Sequence, residues 1–474
     1  MTSQIRIVCV FAFVASLLNV LTGSELFAQS AAKAPDIPQA VTPAVLPPFM
    51  TRTMIYDRPD MMMRLWYYSR MDEAKQRWLA QFEQLTDIAS VERYQKRKRD
   101  FFLKQLDLPT RRTPLNPQIT GTMDRGIFRC EKILFESQPK FYVSAALFLP
   151  PKDKFKAPYP AVVVPCGHSD NGKASEAYQR ACMLGAMNGL AMLIVDPIDQ
   201  GNRFEHLDSN GKPYAISVKA HNLVAIGGIP VGRSAATTMM WDLMRAIDYL
   251  QSRDDIIKNR IGVMGNSGGG TQSAYLMALD ERIACASPAC YVSGILGDTI
   301  RSIGPPDDEQ LIFGQGDFVL DHADYGIIRA PKPTLLCTAT RDFFRIDNSW
   351  EVFRQMKRVY GLFGLGERMD LVETDNPHGY TKQLREGAVR WMLRWLAGRD
   401  EAIVEDDTIK IFTDDELNCV SGPSVFMLPG ARTVHDLNRQ RNRDWEPTRA
   451  ALWKNISSQS ASELVRRVAR FRSL

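Results

Sequence analysis

A serine flanked by small residues is the sharpest chemical signal in the chain, in the segment Gly265-Asn266-Ser267-Gly268-Gly269. The segment follows the short apolar run Ile261–Met264 and precedes a stretch with helical character, which predicts a strand, a tight turn and a helix. Such a turn lifts the serine hydroxyl above the sheet, and glycines beside it avoid steric clashes. We interpret Ser267 as the nucleophile of an acyl-transfer reaction. A serine that merely caps the helix is the alternative.

A serine hydroxyl becomes a nucleophile only when a base removes its proton, and a carboxylate usually holds that base in place. Among the six histidines, His378 is the candidate base because its turn-rich loop lies between the last predicted strand and the last predicted helix of the region. Asp342 is the candidate acid because it follows the strand predicted at Thr334–Thr338. Asp347 is the rival acid, and Asp342 could instead pair with a neighbouring arginine.

Acyl transfer also requires N–H groups that stabilise the negative charge on the carbonyl oxygen. Gly268, the residue after the serine, supplies the first. The second is expected from the loop after the strand Ala161–Val164, where Gly167 or His168 could donate, although the His168 ring could instead contact substrate. The chain has neither a zinc-ligand spacing nor an HExxH motif, so we expect no metal and no other cofactor.

The elements that would position these residues alternate in type along the chain. Short apolar runs typical of buried strands alternate with amphipathic helical segments, which predicts an α/β fold with a mostly parallel sheet and helices on both faces. We place this domain at residues 126–400 and expect it to begin with a hairpin at Glu131–Leu149. The remaining predicted segments are a signal peptide (1–28), a proline-rich linker (29–50), a helical N-terminal extension (51–125) and an appended C-terminal segment of unassigned role (401–474).

The N-terminus has the pattern of an export signal. Arg6 precedes the apolar run Ile7–Leu21, and small residues follow near Ala28. The run covers 15 residues, fewer than the ~20 that a membrane-spanning helix needs. We therefore expect an exported protein, periplasmic or extracellular, without stable membrane insertion.

The amino-acid composition excludes several classes of protein and partner. The 474 residues are 45% apolar and 24% charged, which excludes a disordered or polytopic membrane protein. The 59 basic and 54 acidic residues nearly balance, so no nucleic-acid partner is expected. We interpret the basic run Lys96–Arg99 as a solvated helix face. Cys285 and Cys290 could pair, but buried free thiols are favoured.

Taken together, these residues resemble the α/β-hydrolase superfamily, and within it the bacterial acetyl xylan esterase-like branch. The resemblance spans about Glu131 to Leu396. It implies that Ser267, Asp342 and His378 are the nucleophile, acid and base of a serine esterase. The elbow Asn266-Ser267-Gly268 differs from the Cys-Ser-Arg of glucuronoyl esterases, and Gly201-Asn202-Arg203 stands where many relatives have Gly-Glu-Arg. The segments that carry the resemblance are Cys166-Gly167-His168, Asn171-Gly172-Lys173, Asp196–Arg203, Gly265–Gly269, Thr340–Phe344 and His378-Gly379-Tyr380, with Arg385 and Trp391.

The sequence thus predicts an exported serine hydrolase, a carbohydrate esterase acting on a polysaccharide or small ester through an acyl-enzyme. The alternatives are a peptidase of the prolyl-oligopeptidase type, a pectin methylesterase of the same fold, and a non-catalytic glycan-binding module. Phe343, Trp350 and Tyr380 are candidate sugar contacts, with ordinary core packing as the favoured alternative for these aromatic side chains. The oligomeric state is not predicted.

Overall fold

The computed structural model describes residues 62–303 and 307–469. The predicted signal peptide (1–28) and linker (29–50) lie outside these residues. Leu65–Leu474 group into one compact unit; of the other unit, Met1–Arg64, only the start of the first helix is described. Among the described residues, no helix combines the length and the apolar character that crossing a bilayer requires.

A nine-stranded sheet forms the centre of the molecule, in the order β1-β2-β3-β5-β4-β6-β7-β8-β9. The first four strands of this order pair antiparallel, and every pair from β5 onward is parallel. This confirms the predicted mostly parallel sheet and the predicted hairpin, formed by β2 and β3. The strands are β1 Gln118–Asp124, β2 Arg129–Gln138, β3 Phe141–Leu149, β4 Tyr159–Pro165, β5 Ala191–Val195, β6 Ile256–Asn266, β7 Ile283–Ala289, β8 Thr334–Arg341 and β9 Met369–Pro377.

Helices connect the parallel strands and flank the sheet. Among the described residues, eleven α-helices are longer than one turn: α1 Met62–Phe82, α2 Ile88–Leu106, α3 Glu176–Met187, α4 Ser217–Gly228, α5 Ala235–Ser252, α6 Gly268–Leu279, α9 His322–Arg329, α10 Ile346–Leu362, α11 Lys382–Met392, α13 Val434–Asn455 and α14 Ser458–Ala469. The short helices are α7 Ile300–Ile303, α8 Gln315–Phe318 and α12 Asp414–Leu417.

The central strand β4 shows why the sheet is covered on both faces. Its successive side chains point to opposite faces, as in any strand. Ala161 and Val163 belong to one hydrophobic core, whereas Val162 and Val164 belong to the other. All four are fully buried, which is why the sequence reads as a continuous apolar run and not as an alternation.

The N-terminal extension is not helical throughout. Residues 118–124 form β1, an edge strand that pairs antiparallel with β2, so the prediction of a helical segment at 51–125 is wrong there. Most side chains of β1 are exposed, and Ile119 is among them. An edge strand with so few buried apolar residues has no hydrophobic period that the sequence could reveal.

The basic run Lys96–Arg99 in α2 is not entirely solvated, contrary to the prediction from the sequence. Lys96 is exposed, as a solvated face requires, but Lys98 is fully buried. Its Nζ lies 3.1 Å from Oδ2 of Asp324 on α9, and it also donates to the backbone carbonyl of Val319. Asp324 also accepts hydrogen bonds from Trp78 and Tyr94. A buried carboxylate needs a partner of opposite charge, and Lys98 supplies it by attaching α2 to α9.

The C-terminal segment (401–474) contributes to the packing of the hydrolase region. Phe412 and Leu417 are buried in the same core as Val162. Val425 packs with Leu134 of β2 in a smaller cluster. The role of this segment therefore includes completing the core, although the domain boundaries at 126 and 400 stay predictions.

Candidate functional site

Ser267 occupies the turn between β6 and α6 in a strained backbone conformation. Its φ of +59° and ψ of −124° lie in a region that costs a residue with a side chain about 1–3 kcal/mol. The turn is held by hydrogen bonds from the Ser267 N–H to the Ala289 carbonyl (3.0 Å) and from the Thr271 N–H to the Ser267 carbonyl (2.9 Å). The Ser267 side chain does not cap α6. The capping interpretation is therefore wrong, and the hydroxyl is free for another partner.

The glycines around Ser267 are required because neighbouring backbone comes very close. A Cβ on Gly269 would lie 2.3 Å from the Pro165 carbonyl oxygen at the end of β4. A Cβ on Gly265 would lie 2.7 Å from that same oxygen. Both distances are shorter than any real Cβ contact, so a side chain at either position would push β4 and β6 apart.

The structure brings the three predicted residues together in one line of hydrogen bonds. Nε2 of His378 lies 2.8 Å from Oγ of Ser267. Its Nδ1 lies 2.9 Å from each carboxylate oxygen of Asp342. The Asp342 side chain is 2% exposed, so water does not compete for this contact. The rival Asp347 is exposed and pairs with Arg345 at 2.6 Å.

The sheet explains how residues so distant in sequence meet. Ser267 follows β6, Asp342 follows β8 and His378 follows β9. These strands are parallel, and their carboxyl ends lie along one edge of the sheet. Loops at this edge are where α/β sheets bind ligands.

One candidate donor for a carbonyl oxygen is not available. The backbone N–H of Gly167 donates to the Tyr178 hydroxyl at 2.7 Å, so the assignment of Gly167 as a donor is wrong. The Tyr178 hydroxyl in turn donates to the Asn266 carbonyl at 3.0 Å. The sequence offered no signal for this tyrosine because it lies within an ordinary helix, α3.

Two other N–H groups fit the role. Gly268 is the first residue of α6, so its N–H has no partner within the helix. The N–H of His168 makes no hydrogen bond within the described part of the chain. A Cβ on Gly167 would lie 3.2 Å from the Gly268 nitrogen, which places the loop of His168 directly beside α6.

A buried network under this loop accounts for several of the motif residues. Gln200 donates from its Nε2 to the carbonyls of Gly167 (2.6 Å) and Ser169 (2.8 Å). Asp196 is fully buried and accepts from the side chain of Lys173 (2.5 Å) and from its backbone N–H (2.7 Å). Burial disfavours the lysine charge, but Asp196 outweighs it and raises the pKa of Lys173. The network fixes the loop that carries His168.

Asn202 links this network to the C-terminal segment. Its Oδ1 accepts from the N–H groups of Cys419 (2.9 Å) and Val420 (3.2 Å), and its Nδ2 donates to the Gly422 carbonyl (3.2 Å). A glutamate at this position could not donate to a carbonyl when ionised. The asparagine therefore matches the backbone of the segment that packs against it.

The three predicted sugar contacts differ in their exposure to solvent. Phe343 is 51% exposed, and its ring stacks on His378 with a centroid distance of 4.2 Å. Trp350 is also exposed, and its Nε1 donates to Glu373 at 2.8 Å. Tyr380 is 4% exposed in the second hydrophobic core, so the prediction that it contacts substrate is wrong. The sequence could not reveal that this ring is buried in the core.

Cysteines make no disulfide among the described residues, and Cys285 and Cys290 are both free. Cys290 adopts a positive φ of 50° next to the site, and its thiol faces the Gly379 carbonyl at 3.6 Å. Burial, with a further contribution from the nearby Asp342 carboxylate, raises the pKa of the Cys290 thiol well above its ordinary value. It therefore stays protonated beside the reacting groups.

Glu309 is a site residue that sequence analysis missed. Its carboxylate lies 2.7 Å from Nε2 of His168 and 3.1 Å from Nδ1 of His221. The residue lies in an irregular stretch with no periodic pattern, so nothing in the sequence separates it from other acidic residues.

Comparisons with known proteins identify chains that are similar in sequence or in fold. No family model matches the chain. "Putative hydrolase YtaP" of Bacillus subtilis (strain 168) is 26% identical over 316 residues, which covers 63% of this chain and 99% of that protein. The solved structure of methylesterase BT1017 matches with a TM-score of 0.61 and 20% identity over 80% of each chain. A glucuronoyl esterase from Solibacter usitatus matches with a TM-score of 0.48 and 14% identity over 65% of this chain and 93% of that one. The chain has the α/β-hydrolase fold.

Proposed function

We propose that this chain is a serine esterase that removes acyl groups from carbohydrate through an acyl-enzyme intermediate. The hydrogen-bonded line from Asp342 through His378 to Ser267 carries the proposal. The strained backbone of Ser267 supports it, because such strain persists where surrounding structure enforces it, typically at active sites.

In the first step, Ser267 attacks the ester carbonyl while His378 takes its proton. The 2.8 Å contact between Oγ and Nε2 is within reach for that transfer. The imidazolium that forms faces the Asp342 carboxylate, whose two oxygens both lie 2.9 Å from Nδ1. Asp342 thus fixes the tautomer of the resting imidazole and stabilises the charge that develops.

The tetrahedral intermediate carries its negative charge on the former carbonyl oxygen. The N–H groups of Gly268 and His168 are the donors we assign to it. Removing one such donor typically costs about 10²–10³ in kcat. His378 then gives its proton to the leaving alcohol, and the acyl group remains on Ser267.

Water then hydrolyses the acyl-enzyme, and His378 again acts first as the base and then as the acid. His378 removes a proton from water, which attacks the acyl-enzyme, and the same donors stabilise the second tetrahedral intermediate. Collapse of that intermediate breaks the bond between the acyl carbon and Oγ of Ser267, His378 returns its proton to Oγ, and the carboxylic acid is released. Every proton is held by side chains already in contact, so the proposed cycle calls on no additional group.

A carbohydrate substrate is supported by the aromatic surface beside the site. The exposed Phe343 ring stacks on the His378 ring with an angle of 29° between the ring planes. An apolar ring face is a suitable surface for the C–H face of a sugar. Export is part of the proposal, since polysaccharide esters lie outside the cell and the segment 1–28 has the pattern of a signal peptide.

A methyl ester of an acidic sugar is the second candidate substrate. The matched structure with the TM-score of 0.61 is named a methylesterase, and the similarity covers 80% of both chains. Acetyl and methyl esters differ in which side of the ester bond remains on the enzyme. An acetyl esterase holds an acetyl group on Ser267, whereas a methylesterase holds the sugar acid and releases methanol first.

The released products distinguish these possibilities. Incubation with acetylated xylan, methylated pectin and a dipeptide ester, followed by NMR, would measure acetate, methanol and cleaved peptide ester. We expect acetate to be formed fastest, and Ser267→Ala to abolish it. Ser273→Ala is the matched control, because Ser273 is buried on the same helix and bonds only the Gly269 carbonyl. A preference for the dipeptide ester would favour a peptidase, and no product from any substrate would favour a glycan-binding module.

A further inference from the structure

Glu309 joins two histidines at the carboxyl edge of the sheet. One carboxylate oxygen lies 2.7 Å from Nε2 of His168, and the other lies 3.1 Å from Nδ1 of His221. Glu309 and His221 are buried, whereas the His168 ring is partly open to the site. Neither Glu309 nor His221 touches Ser267, His378 or Asp342 in any contact within the described residues.

The charges in this cluster follow from its contacts. Burial alone would raise the pKa of Glu309, but the two imidazoles outweigh burial and hold that pKa below its ordinary value. Burial lowers the pKa of His221, but Glu309 outweighs it and raises that pKa. The Nε2 of His221 lies 3.1 Å from the Ile198 carbonyl, so both ring nitrogens face acceptors, as an imidazolium requires. Glu309 is thus a buried carboxylate that His221 neutralises.

The other acidic groups on the same turn face elsewhere or are less ionised. Asp308 accepts from the Ala235 N–H at the start of α5, and burial raises its pKa to about 7. Burial and the charge of Glu309 also raise the pKa of Asp307. Glu309 is therefore the principal anion facing the His168 ring.

The His168 ring lies directly against the proposed donor Gly268. A Cβ on Gly268 would lie 3.1 to 3.4 Å from three atoms of that ring. The backbone N–H of His168 is the second proposed donor, so one residue provides both the N–H and the ring that sets its distance from α6. Anything that fixes the ring also fixes the separation of the two donors.

We propose that Glu309, anchored by His221, is a positioning residue that holds the His168 ring against Gly268 and so keeps the two oxyanion donors in register. This inference rests on the proposed esterase function. Its effect belongs to the transition state, because the oxyanion exists only there. Loss of Glu309 should therefore lower kcat and leave KM nearly unchanged.

The same three side chains could in principle share a cation, since their ligand atoms all lie within 4.8 Å of one another. Oε2 of Glu309 is in hydrogen-bond contact with Nδ1 of His221, whereas Oε1 lies 2.7 Å from Nε2 of His168 at ion-pair distance but makes no hydrogen bond among the described residues. We therefore treat metal binding as an outcome of the test that would overturn the positioning role.

Glu309→Gln tests the proposal, with Asp308→Asn as the matched control on the same turn. We expect kcat for 4-nitrophenyl acetate to fall about 10- to 100-fold in Glu309→Gln, below the loss of a whole donor. KM should stay within about threefold. The affinity for a boronic acid that adds to Ser267 should weaken by the same factor as kcat. Asp308→Asn should keep both kcat and inhibitor affinity, because an amide oxygen can still accept from Ala235.

A second variant keeps the proposal testable if Glu309→Gln does not fold. His168→Ala changes a partly exposed ring and should reproduce the loss of kcat in a protein whose thermal unfolding is unchanged. A kcat within twofold of wild type in both variants would overturn the positioning role while leaving the esterase function intact. A stoichiometric metal in the purified protein, with activity lost on chelation, would also overturn it. Absence of turnover in the wild type would refute the esterase function and, with it, this inference.

Discussion

At the scale of single residues, the chemistry depends on contacts that a change of one atom would disrupt. Asp342 and His378 meet at 2.9 Å through both carboxylate oxygens, and this contact fixes which ring nitrogen carries the proton. With the proton on Nδ1, Nε2 is free to accept from Ser267. In the proposed mechanism, Asp342 therefore governs the reactivity of Ser267 through His378.

Replacing the acid by its amide tests this dependence. In Asp342→Asn the amide donates where the carboxylate accepted, which favours the tautomer with the proton on Nε2. That tautomer cannot take the serine proton, and we expect kcat to fall about 10⁴-fold with little change in fold. Steady-state kinetics with 4-nitrophenyl acetate would measure the loss.

Asp347→Asn is the matched control for that variant, since Asp347 is exposed and pairs with Arg345. It should retain wild-type kcat. If Asp347→Asn lost activity and Asp342→Asn kept it, the assignment of the acid would be wrong.

The sequence pattern predicted that Ser267, Asp342 and His378 lie together because each follows a predicted strand. The strands β6 and β8 contain buried apolar runs, whereas β9 is only partly buried. Gly167 was misassigned because the sequence does not show which backbone N–H groups are already bonded, here to Tyr178. Glu309 and His221 were missed because their relation to His168 exists only when a short 3-10 helix, the helix α4 and the loop after β4 meet in the fold. Such contacts have no local pattern.

At the scale of elements, the carboxyl edge of the parallel strands organises the site. The loop of His168 follows β4, and Ser267 follows β6. Asp342 follows β8, and His378 follows β9. The buried parts of β4, β6 and β8 are mostly apolar runs, whereas the edge strand β9 is only partly buried. The sequence predicted all four of these strands. The exposed edge strand β1 has no such run, and the same reasoning missed it.

The C-terminal segment is the element whose importance the sequence least revealed. Its polar composition suggested an appendage, yet Phe412, Leu417 and Val425 are buried. Each such side chain contributes about 1.5–3 kcal/mol when buried. Losing all three would cost a free energy of the same order as the ~5–15 kcal/mol net stability of a typical domain.

Truncation tests the structural role of this segment. A chain ending at residue 400 should unfold or aggregate, because it loses these three side chains and the backbone partners of Asn202. A chain ending at residue 457 is the control, because the described side chains of α14 are mostly exposed. We expect it to melt, by circular dichroism, within a few degrees of the full chain. Equal melting temperatures for both truncations would contradict the packing role.

At the scale of the whole molecule, two hydrophobic cores, one on each face of the sheet, support the candidate site at the carboxyl edge of the strands. The sheet buries its central strands on both faces, so the strand ends that carry the site move little relative to one another. The predicted α/β class and the mostly parallel sheet are confirmed, and both follow from the period of the apolar residues. The joining of α2 to α9 through Lys98 and Asp324 could not be predicted, because a basic run on a helix usually faces water.

The central claim is that Ser267 is a nucleophile activated by His378 and Asp342. Intact-protein mass spectrometry after reaction with a fluorophosphonate, followed by peptide mapping, tests it most directly. We predict a single adduct on Ser267 that forms in the folded wild type, is slowed by prior incubation with an ester substrate, and is absent from Ser267→Ala. No adduct on Ser267, or an adduct on another residue with ester hydrolysis preserved in Ser267→Ala, would contradict the account.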